Sequence, residues 1–145
     1  MIPFSRRELT RAWDSAMRVA QLCPRSNAHR LLLFYAVECG LKATYLKRQN
    51  MDVWDGNLLD KKTGHPFMHD VNGILDECKA GMALPKNLEL VPLKVGSSGQ
   101  VLPRHCSAAD LNQVWRYGGQ LKKPTDTEVE NRLFEIHQWI TKELQ

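Results

Sequence analysis

The chain has 145 residues, 43% of them apolar and 25% charged, the proportions of one folded domain and not of a disordered or multidomain protein. Its longest apolar run, Leu31 to Val37, is far shorter than the roughly 20 residues that span a bilayer, and Met1-Ile2-Pro3-Phe4-Ser5-Arg6-Arg7 lacks the apolar stretch of a signal peptide, so neither membrane insertion nor secretion is expected. Twenty Lys and Arg against 16 Asp and Glu leave a formal charge of +4, which permits a nucleic-acid partner without requiring one.

Ser5-Arg6-Arg7-Glu8 has the spacing of a capping box, in which the Ser hydroxyl accepts from the amide three residues on and the Glu reaches back. Leu9, Trp13, Met17 and Ala20 follow at helical period, so a first helix is expected near 6–22, stopped by Pro24. Ser26 or Asn27 can cap a second helix running to Lys47 or Arg48. That segment is apolar almost all round, the mark of a central, buried helix. Glu38 and Lys42 lie inside it four residues apart, where they pair; a buried carboxylate with a raised pKa is the sharper alternative.

Residues 50–66 are polar and turn-rich and read as a loop, with Trp54 exposed in it as a contact surface. A third helix is expected over 68–81, with Val71, Ile74, Leu75 and Cys78 as its stripe and Asp70 at its positive end. Gly96-Ser97-Ser98-Gly99 between two apolar stretches permits a short hairpin near 88–103. A fourth short helix opens at Ser107 and ends at Gly118-Gly119. A polar linker leads through Pro124 to a second box, Thr127-Glu128-Val129-Glu130, and a last helix over 128–144. Val129, Leu133, Ile136, Ile140 and Leu144 form a near-heptad seam on it, suited to a helical partner or a neighbouring subunit, with Trp139 as an interface anchor. Trp13 and Trp115 fit the core.

The cysteines, Cys23, Cys39, Cys78 and Cys106, show no C-x-x-C pair and read as reduced thiols of a cytoplasmic protein. His105-Cys106 is half of a zinc site with no second half, so no metal and no cofactor is expected.

Several short motifs occur in a telling order: Ala36-Val37-Glu38-Cys39-Gly40-Leu41-Lys42-Ala43, His69-Asp70-Val71, Trp115-Arg116-Tyr117, and the helix after Thr127. This order, over residues 26–145, resembles the HEPN family of small α-helical domains. The resemblance implies a single all-α domain over 1–145, an up-and-down bundle of four or five helices, often dimeric. It implies work in prokaryotic RNA-targeting toxin–antitoxin, antiviral defence or stress systems, as a ribonuclease or as a non-catalytic RNA- or nucleotide-binding module. Active members cut RNA without a metal, using an Arg and a His four to six residues apart at a dimer cleft. Arg132 and His137 match that spacing, with four residues between them. A histidine can exchange a proton with the ribose and an arginine can hold the phosphate. Successive helical residues turn by 100°, so the two stand about 140° apart and would border a cleft only across a homodimer formed through the last helix.

Leu133 departs from the polar residue that usually follows the family's catalytic arginine, and the pair lies after Arg116-Tyr117, which often accompanies loss of the nuclease motif. The leading expectation is therefore a module that binds RNA, nucleotide or a partner protein, with His69, Arg116 and Tyr117 as the contact residues. A metal-independent ribonuclease using Arg132 and His137, and a structural dimerising adaptor, are the alternatives.

Overall fold

The computed structural model describes residues 2–22 and 25–145; the expected stop at Pro24, and Cys23, lie outside the described residues. The elements, in chain order, are β1 (Phe4–Ser5), α1 (Arg6–Ala20), α2 (Asn27–Arg48), β2 (Val53–Trp54), α3 (Val71–Glu77), β3 (Leu88–Val95), β4 (Gln100–Cys106), a 3-10 turn (Ala108–Asp110), α4 (Leu111–Arg116), β5 (Leu121–Lys123) and α5 (Asp126–Leu144). The all-α expectation is wrong: 17% of the chain is strand beside 51% helix, so the class is mixed. β1 and β2 pair antiparallel, Phe4 opposite Trp54, and a second antiparallel sheet has the order β4-β3-β5. β2 comes from the stretch expected to be a loop, and β5 from the expected linker.

α2 is the axis. Every residue from Leu33 to Leu46 except Tyr35 and Cys39 is buried, and α1, α3, α4, α5 and β2 all pack on it. A helix with no polar face must be covered on every side. Leu88 and Leu90 of β3 and Leu121 of β5 are buried and join the same hydrophobic core, so the sheet contributes to it. The hairpin is longer than expected, with a bulge between Leu90 and Leu93 that contains Pro92, a residue with no N–H to give.

The capping box at Ser5 forms, Ser5 Oγ accepting from the Glu8 amide at 3.1 Å, and Ser26 caps α2. α3 is half its expected length. Met68 (φ 50°) and Lys79 (φ 51°) adopt left-handed backbone just outside its two ends and confine it to 71–77. α5 starts earlier than expected, on Thr125, whose hydroxyl accepts from the Glu128 amide at 3.2 Å. Glu130, the reach-back residue of the expected box at Thr127, is instead bonded to Arg30 of α2.

Val129, Leu133, Ile136 and Ile140 are fully buried. The seam is spent inside the chain, mostly on α2, and is not left for a second subunit. Trp139 lies beside the Arg48 guanidinium, 5.6 Å from ring centre to carbon.

α1, α2 and α5 meet at Gly40. A Cβ there would stand 2.7 Å from Trp13 Cδ1 and 2.9 Å from Ile140 Cγ2. Gly40→Ala is expected to lower the unfolding free energy by about 1–2 kcal/mol in urea denaturation, overpacking outweighing the better helix propensity of alanine.

Candidate functional site

The site begins with the turn that ends the 50–66 stretch. Phe67 is buried in an aromatic cluster, its ring centre 5.3 Å from Tyr45 and 5.7 Å from Trp54. That plug fixes the chain. Met68 then reverses it, and Asp70 caps α3, accepting from the Gly73 amide at 3.0 Å. Held between plug and cap, His69 is presented to α2.

There, Glu38 Oε1 accepts from His69 Nδ1 at 2.6 Å and lies 3.7 Å from Lys42 Nζ. The Lys42 ammonium stands 5.2 Å from the centre of the Trp54 ring, within cation–π reach. The Glu38 and Lys42 side chains are only 8% and 9% exposed, whereas His69 is 47% exposed. His69 is thus the member of the trio that a ligand can touch. With Nδ1 turned to the carboxylate, Nε2 is the open atom, an acceptor on the neutral ring and a donor on the charged one. Beside it is a cavity of about 480 Å³, largely apolar, walled by Trp54, Leu58, Phe67 and Met68, with Lys42, Asp55 and His69 as its ionisable groups.

One turn before Glu38, Tyr35 receives a hydrogen bond on its hydroxyl from Arg116, whose guanidinium also lies 5.9 Å from the centre of the Tyr35 ring. Tyr35, Glu38 and Lys42 share one stripe of α2, since residues three and four apart align. Arg116, His69 and Lys42 are therefore gathered along about 10 Å of helix. Tyr117 reaches this group only through the Arg116 guanidinium. It is strongly exposed and borders a different groove, between α4 and the hairpin, with Leu90 and Arg104.

The proposed ribonuclease pair is not brought together within the chain. His137 packs on α1, its Nδ1 accepting from Trp13 Nε1 at 3.1 Å. An indole N–H only donates, so this nitrogen carries a lone pair and the ring is neutral. Burial also holds the imidazole below its ordinary pKa. Arg132 stands on the other flank, beside α3, 3.5 Å from Glu135. A second turn of the expectation fails at Trp54, which is buried and not exposed. Its neighbours Asp52, Asp55 and Gly56 hid this; a Trp flanked by a β-branched residue, opposite a Phe-Ser pair near the start of the chain, was the only signal of strand pairing.

Among the described residues no group of three or more His, Cys, Asp or Glu side chains gathers as a metal site, and no helix is long and apolar enough to cross a membrane. Comparison with family models, with curated proteins and with solved structures returned no match.

Glu38→Ala leaves the Lys42 ammonium buried without its carboxylate and is expected to cost about 3 kcal/mol in urea denaturation; His69→Ala, which leaves the Glu38–Lys42 pair in place, is expected to cost clearly less. His137, depressed in the fold, contributes stability above its unfolded pKa of about 6.5 that is lost as pH falls through the lower folded value. Unfolding free energy measured between pH 7.5 and 5 is expected to decline below about pH 6.5, and His137→Phe to make that decline shallower.

Proposed function

We propose that the chain is a HEPN-like module that binds a nucleotide, or a nucleotide unit of an RNA strand, along the Tyr35–Glu38–Lys42 stripe of α2. The observation that carries this is the exposed imidazole of His69, anchored on Glu38 at 2.6 Å, between an aromatic-walled cavity and Arg116. A base is planar with apolar faces and suits a cavity walled by Trp54 and Phe67. A phosphate is anionic and suits the guanidinium and the imidazole.

The reading is one of binding, not catalysis. The Cys39 thiol, which follows Glu38 in the chain, is pushed up to about 11 by burial and stays a poor nucleophile. The Tyr35 hydroxyl is engaged by Arg116. The order of motifs shared with the HEPN family supports the nucleotide class, and it alone carries the expectation of a prokaryotic defence or toxin–antitoxin setting.

Isothermal titration of the purified chain with the four ribonucleoside monophosphates tests the reading. At least one is expected to bind, and His69→Ala and Arg116→Ala are each expected to weaken it about tenfold, or 1.4 kcal/mol. A folded protein that takes none of the four, or variants that bind as well as the parent, would refute it.

A further inference from the structure

We infer that the cleft between α3, the Ala80–Lys86 segment and α5 is a second, separate site, which takes the linked phosphates of a polyphosphate or of a nucleic-acid backbone through Lys79, Lys86 and Arg132. The cleft encloses about 670 Å³, and four cationic side chains line it: Lys62, Lys79, Lys86 and Arg132. They come from four places in the chain, so their convergence is a product of the fold and not of a local basic run.

Two aspartates also line the cleft, and both are committed. Asp76 Oδ2 is paired with Lys62 Nζ at 2.5 Å, and Asp70 Oδ1 caps α3. Lys79 and Lys86 have no carboxylate within 4 Å among the described residues. Arg132 has only Glu135, at 3.5 Å, with both side chains about half exposed; a surface pair of this kind holds its arginine weakly and yields to a stronger anion. Three cations with little to satisfy them thus face one open hollow. Several charges spaced round such a cleft match a chain of phosphates better than a single carboxylate.

The backbone at Lys79 points the same way. α3 closes there with the Lys79 amide on Asp76 O at 3.0 Å and the Ala80 amide on Leu75 O at 3.0 Å, and Lys79 takes φ 51°. This is the left-handed position after a helix that glycine fills most easily. A lysine standing there gives up stability for its side chain, a trade met where a residue serves a ligand.

The test uses Lys79→Gly/Lys86→Ala/Arg132→Ala, a triple change at exposed positions that relieves the strain at 79, with circular dichroism as the check on fold. A fluorescent oligouridylate is titrated at several NaCl concentrations, and thermal unfolding is followed with inorganic tripolyphosphate. Each phosphate contact to a single strand adds about 0.7 to the slope of log K against log salt, so the triple variant is expected to lose about 2 from that slope. Tripolyphosphate is expected to raise the Tm of the parent and of His69→Ala/Arg116→Ala, but not of the triple variant; this arm keeps the cleft distinct from the nucleotide stripe. Stabilisation by tripolyphosphate with no oligouridylate binding would assign the cleft to free polyphosphate. A natively folded triple variant that keeps the parent's slope and its response to tripolyphosphate would overturn the inference, as would a parent that responds to neither probe.

Discussion

Glu38 carries its carboxylate inside the bundle, where one oxygen serves both the Lys42 ammonium and the His69 imidazole. Taking an unaccompanied carboxylate out of water costs several kcal/mol, so the partners are a condition of the fold. Lys42 is supplied by the helix itself, one turn on. His69 is supplied from 31 residues away, and only because Phe67 is locked against Tyr45 and Trp54 and Asp70 begins α3. A functional surface follows from this constraint. The half-exposed imidazole is held by a buried anion, in an orientation that solvent does not set.

α2 dictates the rest. Its middle is buried almost all round, and α1, α3, α4, α5 and β2 all pack on it. Trp54 is brought against Tyr45 of α2 by its strand's two-residue pairing with Phe4 and Ser5, and Leu88, Leu90 and Leu121 extend the same core. The same economy explains why the last helix has no free seam. Ile136 and Ile140 are needed against α2 and, at Gly40, against α1. Polar contacts tie the start of α2 to its neighbours: Arg30 bonds Glu130 of α5, and Asn27 donates to Gly119 O, between α4 and β5, at 3.0 Å.

What the sequence disclosed and what it concealed divide along the range of the interactions. The caps at Ser5 and Ser26, the central position of α2 and the Glu38–Lys42 pair are local, written within four residues, and the fold repeats them. The partner of Glu38 is not local, and nothing near His69 names it. Trp54 sits among polar residues, so its burial depends on a strand partner nearly 50 positions away. β5 offers one apolar residue, Leu121, too few for any periodicity. At α5, two overlapping Thr-x-x-Glu boxes compete, and Thr125 prevails because Glu130 is drawn away to Arg30. The site residues followed the same rule. His69 and Arg116 come to one stripe of α2, while Tyr117, adjacent to Arg116 in the chain, faces another groove, and Arg132 and His137 point to opposite neighbours.

Glu38 holds His69 by its Nδ1 proton, and the orientation of the site follows from that bond. Nitrogen-15 NMR of the histidine rings, with His69 assigned by substitution, tests it most directly. In the neutral ring the proton is expected on Nδ1, with Nε2 open, and that preference is expected to be lost in Glu38→Ala. A His69 ring that carries its neutral-state proton on Nε2, or that is indifferent to the loss of Glu38, would contradict it.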